Sequence, residues 1–503
     1  MRKVFWFGLM AAVLLSGTSL FWLRSSPEVK GPSLISLKNA DVRSRDCDYS
    51  PLFGMQLECY WVELREGQVG FNFSVAIFRG KGDAVAQDPL VYIPGGPGES
   101  GNTAPLMLSV WEEWAYRTEL GRDFVLVDLR GLAPGYPHWD CAGYRRTSLA
   151  LMQRNLTFAQ EAELIAPVLE ECLQEWRRDL EAQGGPVADL SRFTSLANAA
   201  DLAEVLTRLG YQSWNYMGVS YGTRVALVAA LSQPQARRII LDSPYPLDRG
   251  GVSDAGLLWA QTFADFWREC AERGCEFSEE NFWQLMAHLR QQPQPVQVED
   301  WNSGGQVSWL LNDGRLAAAV YSTFYSGDLR YQVAPALRRL IEGDIQPLLP
   351  LLEIFYNQAF DSSFNSAIFW ATECNDNPLQ SEQYFLSTLG QLGRWREYFA
   401  ADWQFDLCRS TAFHPGQIPA MQPLEIPVLV AGGALDPITT HEHARELMPW
   451  LPRGQLLILP DRSHAEFYGS DCGERLIPWF LNADEVSIQA EWPAQSLSCR
   501  PAN

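Results

Sequence analysis

The sequence predicts an α/β fold, a mostly parallel sheet covered by helices on both faces and interrupted by a large, mainly helical insertion. Two observations lead there. Short apolar runs rich in β-branched and aromatic residues alternate with helical stretches, the pattern of strands buried on both faces. That alternation stops for about 180 residues between Asp242 and Ile426 and then resumes, and a chain that resumes it most simply returns to the same sheet. With 503 residues, 47% of them hydrophobic, the chain can bury a large core, so disordered, collagen-like and coiled-coil classes are excluded. The 39 Lys and Arg stand against 60 Asp and Glu, and a net charge of -21 with no segregated basic patch argues against a nucleic acid partner.

The elements follow in order. Arg2 and Lys3 precede an uncharged run from Val4 to Leu23, closed by Arg24, two serines and Pro27. This is an export signal, removed as a signal peptide or kept as a single membrane anchor, and it places the rest of the chain in the periplasm or outside the cell. Gln56 to Leu64 and Phe71 to Arg79 alternate as an antiparallel pair. Buried strands are expected at Leu90 to Ile93, Phe124 to Asp128, Trp214 to Val219, Arg238 to Asp242, Val428 to Ala431 and Leu456 to Leu459. Helical periodicity marks Ala255 to Arg273, Ser278 to Arg290, Asp313 to Phe324 and Gln383 to Phe399 within the insertion.

Ten cysteines lie in the exported part, without Cys-x-x-Cys or a zinc-finger spacing of histidines, so they read as disulfides and not as metal ligands. Pairing of sequence neighbours gives Cys47 with Cys59, Cys141 with Cys172, Cys270 with Cys275, Cys374 with Cys408 and Cys472 with Cys499.

Gly218-Val219-Ser220-Tyr221-Gly222 sits where a strand ends and the helix-forming run Thr223 to Leu231 begins. Such a strand–turn–helix elbow lifts a serine hydroxyl above the sheet edge, and its glycines stand where backbone segments crowd. The glycine-rich loop Tyr92-Ile93-Pro94-Gly95-Gly96-Pro97-Gly98-Glu99-Ser100-Gly101 leaves an earlier strand. Acyl transfer needs backbone N–H groups aimed at a developing oxyanion. Pro97 has none, so the amides of Gly96 and Tyr221 are the expected donors. A nucleotide-cradling role for this loop lacks both the dinucleotide and the P-loop patterns. A base and an orienting acid are expected downstream: Asp436 follows the strand at Val428, and His464 follows the next, at Leu456. Asp461 is the alternative acid. The order Ser, Asp, His is that of the α/β-hydrolases.

These residues resemble the prolyl aminopeptidase and tripeptidyl aminopeptidase branch of the α/β-hydrolases, serine exopeptidases acting at peptide N-termini. Gly95 to Gly98 with Ser100-Gly101 is similar to that branch's oxyanion loop, Val127-Asp128-Leu129-Arg130-Gly131 to its Asp-x-Arg-Gly turn, and Ala371 to Asp376 to a cap segment of the tripeptidyl type. Pro94 stands where many relatives carry histidine, and Leu132-Ala133-Pro134-Gly135 replaces their Gly-x-Ser. The resemblance implies a helical cap over the site, with cap acids holding the free amine of a peptide substrate. Glu373, Asp376 and Glu99 are the candidates. Residues 1–26 are then the leader, 27–248 and 416–503 the two parts of the hydrolase core, and 249–415 the cap; no metal or organic cofactor is implied. An esterase of small apolar esters on the same fold and a catalytically inactive binding module are the rival readings.

Overall fold

The computed structural model describes residues 41–483 except 67–68, 81–85, 185–189, 249–253, 378–381, 400–402, 411–412 and 414–417, so the expected leader lies outside the described residues. The strands are β1 (Val42–Arg45), β2 (Leu57–Glu66), β3 (Val69–Phe78), β4 (Ala86–Ile93), β5 (Arg122–Val127), β6 (Trp214–Val219), β7 (Ala236–Asp242), β8 (Gln294–Asp300), β9 (Gly305–Leu311), β10 (Val428–Gly433) and β11 (Gly454–Leu459). Nine form one sheet in the order β1-β2-β3-β5-β4-β6-β7-β10-β11. The pairs from β1 to β5 are antiparallel, and those from β5 through β4 to β11 are parallel.

Period-two alternation explains how both faces are covered. Val91, Ile93, Trp214 and Tyr216 pack on one face against Leu202, Val205, Val225 and Val228 of the helices Ser195–Arg208 and Tyr221–Ser232. Leu90, Tyr92, Met217 and Val219 point the other way, onto Trp111, Trp114, Ile477 and Phe480 of the helices Pro105–Thr118 and Asp471–Asn482. Every residue of β6 and of β10 is buried. That burial is why these strands read as continuous apolar runs in the sequence.

Between β7 and β10 lies the insertion, with its own aromatic core of Phe263, Phe266, Trp267, Phe282, Trp309 and Phe324. It is not wholly helical: β8 and β9 form an antiparallel hairpin turning at Asp300 to Gly304. Val296 and Val298 alternate with polar neighbours there, a period-two signal hidden among longer helical ones. The stretch expected as one helix over Gln383 to Phe399 divides into Glu382–Leu389, a 3-10 turn at Gly393–Trp395 and a short helix Arg396–Phe399. Gly393, at φ 55, takes the left-handed conformation that glycine adopts without a steric penalty. The long helix Phe158–Gly184, between β5 and β6, joins this roof, since Arg315 of the insertion donates to Glu161 and to the carbonyls of Leu151 and Met152.

Four expected disulfides are present: Cys47–Cys59, Cys141–Cys172, Cys270–Cys275 and Cys374–Cys408. The fifth expected pair lies outside the described residues, because Cys499 does, although Cys472 is disulfide-bonded. Cys374–Cys408 closes a 34-residue separation and fastens the helix Ser366–Asp376 to the helix Trp403–Ser410. Loop-closure entropy for a link of that length predicts that changing both cysteines to serine lowers stability by about 4 kcal/mol, measurable by denaturant unfolding. An unchanged unfolding midpoint would show that the link constrains nothing.

Candidate active site at the carboxyl edge of the sheet

Ser220 occupies the single residue between β6 and the helix Tyr221–Ser232, with φ 53 and ψ -121. A residue with a β-carbon rarely adopts that conformation, so the elbow must be held by its surroundings. The two glycines show how. A β-carbon at Gly218 would stand 2.7 Å from Thr223 N, and one at Gly222 would overlap the carbonyls of Ile93 and Pro94, so strand and helix close on each other only without side chains. Ser220 N donates to the Asp242 carbonyl at 2.9 Å, fixing the elbow to the end of β7. Tyr221 opens its helix, so its N–H is one of the amides that helix geometry leaves without an intrahelical acceptor.

The glycine-rich loop leaves β4 beside the elbow. Gly96, at φ 101, lies between the buried Gly95 and Pro97 and is itself partly open to solvent. The insertion pins this loop from above: Asn365 N donates to Gly98 O at 2.9 Å, and Ser100 N to Ser363 O at 3.0 Å. A β-carbon at Gly95 would stand 3.2 Å from Glu99 Oε1 and 3.3 Å from Ser220 Cβ, so this carboxylate lies within about 6.5 Å of the Ser220 side chain. Glu99 accepts from Gly95 N at 3.1 Å, yet the residue as a whole is exposed. The protein around it raises its pKa by desolvation, partly offset by the Gly95 amide and the nearby His464.

His464 and Asp436 are in contact. His464 Nδ1 lies 2.9 Å from Asp436 Oδ2, and the same carboxylate accepts from Ile438 N at 3.0 Å, Thr439 N at 2.9 Å and Thr439 Oγ1 at 2.8 Å. Burial alone would raise the Asp436 pKa, but the histidine and these donors hold it below the ordinary value. For His464, burial acts to lower the pKa and is outweighed by Asp436, with Asp242 and Glu99 adding to the rise. Asp461 is exposed. The ring of Tyr325, from the insertion, stands edge-on to the imidazole at 5.2 Å. Thr439 and Tyr325 carried no motif that would have singled them out.

Glu373 and Asp376 stand at the end of the helix Ser366–Asp376, near Arg224 of the helix Tyr221–Ser232, and both are buried. Glu373 Oε2 accepts from Tyr245 Oη at 3.2 Å and Asn377 Nδ2 at 2.5 Å; Asp376 accepts from Ser195 N at 3.0 Å and Ser195 Oγ at 2.5 Å. Desolvation pushes them up to about 7 and about 6 respectively, with the Arg224 charge opposing. Their donors are already supplied by the protein, whereas Glu99 is exposed. Most of the insertion's tryptophans are core: Trp259 stacks on Tyr321 at 4.2 Å, and Trp309 is fully buried.

Residues 88–470 match the family described as alpha/beta hydrolase fold, and the chain belongs to it. Among curated proteins it is similar to the serine protease Hip1 of Mycobacterium tuberculosis, 24% identical over 429 residues covering 80% of each chain. It is also similar to a tripeptidyl aminopeptidase of Streptomyces coelicolor, 31% identical over 159 residues, 31% of this chain and 28% of that one. Among solved structures, the proline iminopeptidase of Mycobacterium smegmatis aligns at 14% identity with TM-score 0.37, covering 85% of this chain and 99% of that one.

Proposed function

We propose that the protein is an exported serine exopeptidase that hydrolyses peptides from a free N-terminus. In this reading Ser220 Oγ attacks the scissile carbonyl, and His464 takes its proton and then returns one to the leaving amine. Asp436 holds the imidazole tautomer, and the amides of Gly96 and Tyr221 receive the oxyanion. Water then hydrolyses the acyl-enzyme by the reverse proton path. The similarity to two named peptidases supports peptide chemistry over ester chemistry. Export is supported by the N-terminal apolar run and by four disulfides, which persist in oxidising compartments.

The observation that carries the exopeptidase reading is the open carboxylate of Glu99 beside the nucleophile. A peptide's α-nitrogen lies only about 2.5 Å from its own carbonyl carbon, by standard backbone dimensions. A carboxylate this near Ser220 therefore suits the amine of the residue whose carbonyl is attacked, which favours release of one N-terminal residue such as proline. Release of a tripeptide is the second reading, favoured by the similarity to the Streptomyces enzyme.

Glu99→Gln is expected to lower kcat/KM on free-amine substrates by roughly 10- to 100-fold, the worth of one charge-assisted hydrogen bond, and, measured above the acid limb where His464 is neutral, to leave N-acetylated and ester substrates unchanged. A panel of Pro-, Ala- and tripeptidyl amides, each with and without an N-acetyl group, makes the measurement. Equal turnover of free and acetylated substrates by the wild-type enzyme would instead favour the esterase reading.

A further inference from the structure

The last two residues of the run Ile239-Ile240-Leu241-Asp242-Ser243 belong to no motif, yet they bond both to Ser220 and to the segment after His464. Asp242 ends β7, fully buried, with its carbonyl accepting from Ser220 N at 2.9 Å. Its side chain reaches the opposite wall: Oδ2 accepts from Phe467 N at 3.1 Å and Tyr468 N at 3.0 Å. Ser243 continues the pairing with β10, its N donating to Ala431 O at 2.9 Å, while its Oγ accepts from Ala465 N at 2.7 Å. One dipeptide thus holds the backbone of Ser220 on one side and three of the four amides that follow His464, those of Ala465, Phe467 and Tyr468, on the other.

The backbone explains why a clamp is needed. Ser243 at φ 59 and Ala465 at φ 57 are both non-glycine residues in the left-handed region, a conformation kept only where neighbours enforce it. The Ala465 N–H that Ser243 secures belongs to the residue next to the base. A buried carboxylate accepting two backbone amides is a rigid fixture, since leaving those amides unpaired in a dry site would carry the full desolvation penalty. The groups facing His464 are Asp436, Asp242, Glu99 and the ring of Tyr325; those facing Asp242 are His464, Asp436, Tyr92 and Tyr468.

We propose that Asp242 and Ser243 are positioning residues that set the register of the His464 loop against the nucleophile elbow, with the Asp242 carboxylate also acting on the charge of the base. The proposal rests on the reading of Ser220 and His464 as nucleophile and base. Desolvation raises the Asp242 pKa to about 7, so its charge is present above that range and feeds the rise in the His464 pKa. Removing the charge lowers the pKa of the base and moves the acid limb of activity to lower pH.

The test uses the full chain and a fluorophosphonate probe, following the second-order rate of Ser220 labelling between pH 5 and 9 for wild type, Asp242→Asn, Asp242→Ala and Ser243→Ala. The expected result is a loss of roughly 10- to 100-fold in Asp242→Ala and Ser243→Ala, the effect of small misplacement of a reacting group. Asp242→Asn keeps an oxygen to accept the amides, so it is expected to shift the acid limb downward while keeping near-native thermal unfolding. If Asp242→Ala does not fold, Asp242→Asn and Ser243→Ala decide: wild-type rates and a wild-type acid limb in both overturn the proposal. Failure of the wild-type chain to label at all would defeat the serine-hydrolase reading itself, a different outcome.

Discussion

Ser220→Ala is expected to lower kcat by roughly 10⁶-fold, the scale on which loss of the nucleophile acts when nucleophile, base and acid work as one unit. A serine with φ 53 and ψ -121, wedged between two glycines whose β-carbons would strike the opposing backbone, stands in a costly conformation that no cap bond explains. Such strain persists where it is used. Alanine keeps the β-carbon and the backbone conformation, so the variant should fold with the same thermal unfolding and substrate affinity while losing turnover. Steady-state hydrolysis of a prolyl amide, with fluorophosphonate labelling as the second readout, measures this. Labelling that survives in Ser220→Ala would mean that another side chain is the nucleophile; a folded wild-type chain that neither turns over nor labels would favour the binding-module reading.

The parts of this site legible in the sequence are those where local backbone chemistry and side-chain chemistry coincide. Gly218 and Gly222 bracket Ser220 because the turn requires them, so a five-residue pattern reports both a conformation and the candidate nucleophile. The strands β6 and β10 read plainly because burial on both faces makes them nearly continuous apolar runs. His464 and Asp436 could be placed by chain order after the last two strands, and the 2.9 Å contact between them follows from the parallel pairing of β10 with β11. What the sequence hides depends on distant segments. Glu373, Asp376 and Glu99 look alike as acids near motifs. Only the fold separates two buried ones that accept bonds from Ser195, Tyr245 and Asn377 from one that is exposed beside Ser220. Asp242 is a charged residue ending an apolar strand, a visible oddity, but its function as a clamp depends on amides more than 220 positions away. The β8–β9 hairpin was obscured for another reason, a short period-two stretch enclosed by long period-3.6 ones.

Asp436→Asn is expected to lower kcat by roughly 10⁴-fold, as when the orienting acid of a triad loses its charge, and to move the acid limb of kcat/KM to lower pH. The direction follows from the balance at His464. Burial favours the neutral imidazole, and the Asp436 charge and hydrogen bond are what chiefly reverse it, so the wild-type base titrates above the ordinary histidine value and activity falls as pH drops through that raised value. With an amide at 436 the largest opposing contribution is gone and the desolvation remains. The base then stays neutral to lower pH, though it is a weaker base with its tautomer unheld. Asparagine can still accept from Ile438 N and Thr439 N through its oxygen, which would turn its Nδ2 hydrogens toward the imidazole and stabilise the wrong tautomer. Rate and pH profile therefore move for one cause. An Asp436→Asn enzyme that kept the wild-type acid limb while losing rate would show that Asp242 and Glu99, the other carboxylates acting on His464, set its charge, and that Asp436 serves orientation alone.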